Sequence, residues 1–460
     1  MRWRPRRTAP DARGVRSLWC PGMSGLTQPT PRKVFLETYG CQMNVADSEL
    51  VGGVLGRHGY ERTADPAEAD VLLLNTCAIR EHAEERVLGR LSELLRYKTA
   101  RPSVQMGLLG CMASHMREQL LDRAPYLDVI VGPDGYRDLP ILLDDGADPR
   151  VDVRLDRGET YADLTPDHGP GPRAWLTVMR GCDKFCTFCV VPFTRGRERS
   201  LPPDAVVAQV EAAVAMGKRE VVFLGQTVNA YRADGCDFGG LLRRAAAVEG
   251  LERIRFTSPH PSEVSDAMIE AMAVEPKVMP YIHLPLQSAS DPVLEAMARD
   301  YTIEQYRDLL ERLRDHVPNI AVSTDIIVGF PAEDETRFRA TADYLEEARY
   351  DFAYLFKYSP REGTRAHKIP DTVSEEEKGR RLKQLIDRQE EISFEKNQEQ
   401  IGREVEVMVD GPARRPPGHV VGKSRNFKTT VLRDTGARPG ELVRARVDTA
   451  SAHTLRATPL

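Results

Sequence analysis

Residues 180–200 read RGCDKFCTFCVVPFTRGRERS, which places Cys182, Cys186 and Cys189 in one short loop directly after the apolar run WLTVM. Thiolates at CxxxCxxC spacing suit an iron–sulfur cluster. A cubane has four irons, so three protein ligands leave one iron open to a substrate or cofactor, the same distinction that separates open catalytic metal sites from closed structural ones. A structural zinc knuckle would need a fourth ligand nearby, and the next candidates, His168 and Cys236, are distant in sequence.

Toward the C-terminus, WLTVM is the first of six apolar runs. VVFLG near 221, RIRFTS near 253, YIHLPL near 281, AVSTDIIVGF near 320 and FAYLFKYS near 352 follow, with helix-like stretches starting near Asp204, Gly239, Ser262, Ile303 and Ala332. Six strand–helix repeats imply an α/β domain over 168–399, a parallel sheet with right-handed crossovers curved into a partial (β/α) barrel. Barrel chemistry gathers where strands end. Those ends carry Gln226, Thr227 and Asn229; Thr257, Ser258 and His260; His283, Gln287, Ser288 and Ser290; Thr324 and Asp325; and Tyr358, Ser359 and Arg361. Singly they are cap or turn residues, and His260 and His283 read as satisfied hydrogen-bonding groups; together they describe a polar cofactor pocket. Arg195, Arg197 and Arg199 form either a solvated face or contacts to anionic groups, and the second, contact with a substrate or cofactor carboxylate, is expected beside an open cluster. Residues 374–399 open with Ser374 as N-cap and three acids, then run as an amphipathic helix.

Toward the N-terminus, 31–147 repeats a strand–turn–helix pattern. KVFLETYG ends at Cys41, VLLLNT at Cys77 and VQMGLLG at Cys111, with helical segments at 45–58, 81–98 and 114–122. Short continuous apolar runs are those of parallel strands covered on both faces, which predicts a doubly wound sheet. Ligands of such sheets collect at the carboxyl ends of the strands, so the three cysteines should converge on a second cluster rather than act as unrelated core thiols. Residues 148–173, rich in Pro, Gly and Asp, read as a linker, and 1–30 as a basic, disordered tail with Cys20 a bystander.

The chain is 460 residues long with net charge -5 and eight cysteines. No apolar run approaches the roughly 18 residues needed to span a membrane, the cysteines are clustered rather than spread as a disulfide scaffold, and the surface as a whole is not a nucleic-acid magnet. From 401 onward, however, eleven Lys and Arg stand against six Asp and Glu. The runs EVEVMVDG, GHVVGKSRN, KTTVLRD and LVRARVDTA suggest a small all-β barrel over 400–460, either an RNA handle or a plain structural appendage. Cytoplasmic location in a bacterium is expected, with Met23 an alternative start and the Arg-rich beginning leaving mitochondrial delivery as the alternative location.

The cysteine loop, with Phe188 just before its third cysteine, resembles the signature of radical S-adenosylmethionine enzymes. TYGCQMN, NTCAIREHAEERV and GCMA resemble the N-terminal domain of the tRNA methylthiotransferases, and 400–460 resembles the RNA-binding TRAM domain. The resemblance implies two 4Fe-4S clusters. Cys182, Cys186 and Cys189 would hold the one that cleaves S-adenosylmethionine to a 5'-deoxyadenosyl radical, and Cys41, Cys77 and Cys111 an auxiliary one that holds or relays sulfur. GQTVNAY, TSPHP, HLPLQSASD and DIIVGFP look like the family's core motifs, so Phe188, Gln226, Asn229, Ser258, His283, Gln287 and Asp325 are expected to bind the cofactor. Thr227 stands where Asn is common, Ala289 where Gly is common, and PAEDE replaces PGET. The implied reaction places a methylthio group on the adenine carbon between the two pyrimidine nitrogens of an isopentenylated adenosine 3' to the anticodon. Partners would be the tRNA anticodon stem-loop, a flavodoxin- or ferredoxin-like reductant and a sulfur source, with the enzyme a monomer. Family members acting on threonylcarbamoyl-adenosine or on a ribosomal protein, and a non-catalytic iron–sulfur RNA-binding protein, are the alternatives.

Overall fold

Six strands in the order β2-β1-β3-β4-β5-β6, all parallel, form the first sheet. They are β1 (Arg32–Tyr39), β2 (Tyr60–Arg62), β3 (Val71–Thr76), β4 (Gln105–Gly110), β5 (Val129–Val131) and β6 (Arg150–Asp152). The computed structural model describes residues 31–77, 81–144, 149–415, 417–433 and 436–460; the basic tail 1–30 with Cys20 and Met23 lies outside them. VLLLNT is buried at every position because helices cover both faces. Helix α1 (Gln42–Arg57) contributes Leu50, Val51 and Leu55 to one core, while α2 (Glu81–Ala100) and α3 (Cys111–Met116) contribute Leu91, Leu94 and Met112 to the other.

Two expectations change here. The helix expected over 114–122 is two short ones, broken at Arg117 with φ 51°, and the first begins at Cys111 itself. Nor is 148–173 a free linker. Residues 150–152 add β6 to the sheet, Tyr161 and Leu164 enter the first core, and His168 bonds Glu49 at 2.8 Å, so the first domain runs past 147. The segment lacks apolar periodicity, which is why composition alone reads it as a tether.

The central domain has the six expected strands, in two parallel triplets. Arg173–Thr177, Glu220–Leu224 and Arg253–Phe256 form one; Tyr281–His283, Ala321–Val328 and Phe352–Lys357 the other. A parallel bridge from Ile254 to Val278 continues the curve between them. Strand alternation sorts the side chains: Val221, Phe223, Ile254, Phe256, Ile282 and Ile326 pack outward on helices, which turns Glu220, Val222, Arg255, His283 and Asp325 to the concave side. The helix Glu375–Gln398, capped by Ser374 as expected, runs against the last strand and reaches the C-terminal barrel through Asn397 and Gln398.

The last five strands close into a barrel that docks on the starts of the central strands. Arg253 donates to the Lys423 and Glu406 carbonyls, Arg255 to the Ser424 and Arg425 carbonyls, and Lys428 meets Asp351 at 2.8 Å. Phe427 stacks on Tyr281 with ring centroids 4.6 Å apart. The RNA-handle reading of the basic surplus therefore applies to only part of it, since Lys423, Arg425 and Lys428 face the dock while Arg414, Arg415, Arg433 and Arg456 are exposed. Residues 32–460 form one compact unit, and among the described residues no helix is long and apolar enough to cross a membrane.

Candidate active site: two cysteine triads on one barrel

Because β1, β3 and β4 are neighbours, their carboxyl ends lie side by side, with Tyr39 level with Thr76 and Thr76 level with Gly110. Cys41, Cys77 and Cys111 follow that row immediately. Cys41 caps α1, where the helix amides face it. A hydrogen bond with Cys77 outweighs burial and, with the Arg195 charge, brings the Cys41 thiol down to about 6. Gly110 has φ 94°, and a side chain there would strike Asn75 and the Thr76 carbonyl, so glycine is what lets β4 turn into α3 at the ligand. Asn44 and Asn75 brace the row, the Asn44 amide bonding Asn75 and the Thr76 carbonyl at 3.1 Å each.

The second triad sits on the loop after Arg173–Thr177. Gly181, with φ 78°, passes so close to the Arg197 carbonyl that no side chain fits. The Lys184 and Val191 amides point at the Cys182 and Cys189 sulfurs at 3.5 Å, Thr227 Oγ1 lies 3.1 Å from Cys182, and Arg299 donates to Cys186 at 3.3 Å. Burial pushes the Cys189 thiol up to about 12. Zinc is disfavoured by geometry as well as spacing: His168 is held by Glu49, and Cys236 lies in a separate hairpin with Asp237.

The polar strand ends differ in how they are partnered. Gln226 has both amide atoms buried without a partner, and Gln287 Oε1 is likewise orphaned, beside a backbone at φ 66°. Ser258, exposed at φ 58°, accepts the Val228 amide through its carbonyl. His283 bonds Ser323 at 2.9 Å and lies 3.3 Å from Asp325 on the concave face. Asn229 is different: its amide is engaged in both directions by the His260 backbone, at 2.9 and 2.7 Å, so it ties two loops together and, unlike Gln226, leaves neither amide atom without a partner. His260 is only half the satisfied group the sequence suggested: Nδ1 bonds Ser262 at 2.9 Å while Nε2 is buried without a partner, and burial and then Arg299 lower it to about 2. Phe188 packs against Val293, Met297, Phe330 and Tyr358 under the loop. In PAEDE, Glu333 receives the Gly329 amide and Arg381, and Asp334 caps the next helix, so the departure from PGET is a local latch.

The arginines correct the sequence reading. Arg195 and Arg199 are buried and reach the first domain instead of a substrate or cofactor carboxylate: Arg195 meets Asp47 at 2.7 Å and Cys111 Sγ at 3.1 Å, and Arg199 grips Asp134 with two nitrogens. Arg180 also meets Asp47, at 3.2 Å. Only Arg197 is exposed, paired with Asp183. Sequence reasoning passed over Asp47, Arg180 and Arg299, whose partners lie more than 100 residues away. Met43 and Ala46 of α1, with Cys41 beside them, pack on Trp175, Val222 and Leu224, whose side chains line the concave face. The first triad thus borders the interior of the barrel whose mouth carries the second.

Among the described residues no three His, Cys, Asp or Glu converge on a single-ion position. A cubane held at three of its four irons needs three thiolates, the number that each site supplies. Two sets of three thiols, each without a fourth, therefore fit two 4Fe-4S clusters, and the orphaned Gln226 and Gln287 groups fit a polar cofactor beside the second. An open cluster corner over a half barrel with unsatisfied polar groups is what radical S-adenosylmethionine chemistry requires, and the chain is of that class. It matches the Radical SAM superfamily over 176–345, the uncharacterized protein family UPF0004 over 33–132 and the TRAM domain over 398–460. In fold it is similar to the radical S-adenosylmethionine methyltransferase TsrM of Kitasatospora setae, with TM-score 0.54, 15% identity and coverage of 71% of this chain and 72% of that one. It is 44% identical over 431 residues to the tRNA-2-methylthio-N(6)-dimethylallyladenosine synthase of Cereibacter sphaeroides, covering 92% of this chain and 97% of that one. The synthase of Chlorobium luteolum is 42% identical over 432 residues, covering 93% and 97%. The chain belongs to this family of tRNA-2-methylthio-N(6)-dimethylallyladenosine synthases.

Proposed function

We propose that the protein is a radical S-adenosylmethionine tRNA methylthiotransferase that adds a methylthio group to adenine carbon 2 of an isopentenylated adenosine 3' to the anticodon. The observation that carries this is the placement of two three-thiol sites on one barrel interior, Cys41 against Trp175 and Val222, and Cys182 against Thr227 at the mouth. When bound, the cluster at Cys182, Cys186 and Cys189 supplies the electron that cleaves S-adenosylmethionine, and the second cluster supplies the site for sulfur.

The chain's own residues position and enclose. Thr227 and Arg299 hold two of the thiolates by hydrogen bonds. Gln226 and Gln287 offer unsatisfied amide groups to a bound cofactor, and His283 with Asp325 offers a polar pair to whatever enters the interior. The first domain walls the side of the barrel and the C-terminal barrel closes its base, which keeps water from a radical formed inside. The substrate adenosine then has the mouth as its entrance. Exposed Arg414, Arg415, Arg433 and Arg456 are suited to tRNA phosphates.

Further parts of the proposal rest on chemistry. Electrons come from a flavodoxin- or ferredoxin-like carrier and sulfur from an external source, because the side chains provide neither in catalytic supply. The enzyme is proposed to act as a monomer. A reducing bacterial cytoplasm is supported by seven described cysteines outside any disulfide. The test is anaerobic incubation of the reconstituted enzyme with dithionite, S-adenosylmethionine and tRNA lacking the methylthio mark, followed by nucleoside mass spectrometry. The methylthio isopentenyl nucleoside is the expected product; 5'-deoxyadenosine without it would overturn the assigned acceptor.

A further inference from the structure

We infer that Arg195 is a positioning residue for the auxiliary cluster, placed there by the loop of the radical cluster. It lies six positions after Cys189 in sequence and is 3% exposed. Its Nε donates to Cys111 Sγ at 3.1 Å, and one terminal nitrogen meets Asp47 Oδ2 at 2.7 Å; the other terminal nitrogen is buried without a partner. Its backbone is fixed as well, the carbonyl accepting from Arg199 at 2.9 Å while Arg199 is clamped to Asp134. The short helix Val191–Thr194 packs against α3, and Val190 touches Cys111. Nothing in this arrangement is left to a flexible side chain.

The electrostatic consequence follows from charge. A guanidinium hydrogen-bonded to a ligating sulfur takes up part of the thiolate's charge and favours the more negative, reduced form of the metal group the sulfur holds. Arg180 is the internal comparison. It is equally buried and also bound to Asp47, at 3.2 Å, but its guanidinium lies over the Tyr161 ring, and none of its contacts is to a cysteine. If Arg195 acts through the sulfur, Arg195 and Arg180 will separate in their effect on the cluster. If both merely hold the domains together, they will not.

This rests on the two-cluster reading above, and the experiment separates the two failures. In the full-length chain carrying Cys182→Ala, Cys186→Ala and Cys189→Ala, reconstituted anaerobically, iron content and the midpoint of the remaining cluster are measured by potentiometric titration with optical and EPR detection. Arg195→Gln is expected to lower the reduction equilibrium constant at least tenfold, about 59 mV for one electron, with Arg195→Lys in between and Arg180→Gln unshifted. An unchanged midpoint in Arg195→Gln, or an equal shift in Arg180→Gln, overturns the role. Should Arg195→Gln hold no iron, Arg195→Lys decides, and an unshifted midpoint there overturns it. Absence of iron in the parent triple variant would instead sink the two-cluster reading, and this inference with it.

Discussion

Replacing Glu220 by Gln tests how the barrel base and the C-terminal barrel are held together. Glu220 is fully buried between Arg173 at 2.5 Å and Arg255 at 2.8 Å, and those arginines continue to Asp410 and to the Ser424 and Arg425 carbonyls of the docked barrel. Burial by itself would raise the carboxyl, but Arg255 and then Arg173 outweigh it and hold it at about 2, against the ordinary 4.5. At about 1.4 kcal/mol per pH unit that difference corresponds to roughly 3 kcal/mol of stability. Breaking a buried pair from one side costs about 3–5 kcal/mol, because the partner charges stay buried. The two figures agree on the scale of the loss.

The pH dependence has a definite sign. A folded value below the unfolded one means that the stabilisation is fully present above 4.5 and is lost as pH falls toward about 2. Urea unfolding of the metal-free full chain should therefore show the variant less stable by roughly 3 kcal/mol at pH 7. That gap should close between pH 4.5 and about 2, where the wild-type group takes up its own proton. Limited proteolysis should also release a fragment near residue 400 sooner in the variant. A gap below about 1 kcal/mol at pH 7 would refute the reasoning, since it would mean that the arginines do not need this carboxylate.

Three further outcomes are expected. Cys186→Ala should abolish cleavage of S-adenosylmethionine and remove about half the iron, whereas Cys77→Ala should keep 5'-deoxyadenosine formation and lose the methylthio product; iron analysis with product mass spectrometry reads both. Gln226→Ala should weaken equilibrium binding of S-adenosylmethionine to the loaded enzyme by about tenfold, the worth of roughly one well-placed hydrogen bond. Phe427→Ala removes stacking on Tyr281 and Phe352 and the Arg255 contact, and should cost about 2 kcal/mol in chemical denaturation while leaving both clusters loaded.

Spacing and periodicity determined a great deal by themselves. CxxxCxxC is local chemistry, so the cysteine loop was legible without a fold, and so were the six central strands, whose apolar residues recur between helix-like stretches. Convergence of Cys41, Cys77 and Cys111 followed from their common place at strand ends, because neighbouring parallel strands bring such ends together. Tertiary structure alone decided what long-range partners decide. A run of arginines looks the same in sequence whether it meets solvent, substrate or a buried Asp47, and only packing selected the last. The segment 148–173 looks like a tether until Tyr161 and β6 find a core and a sheet edge, and basic residues of the last domain look like an RNA surface until some of them meet Asp351 and the strand starts. Local sequence encodes which groups are present and how the backbone runs; which charge faces which is set by contacts between residues far apart in the chain.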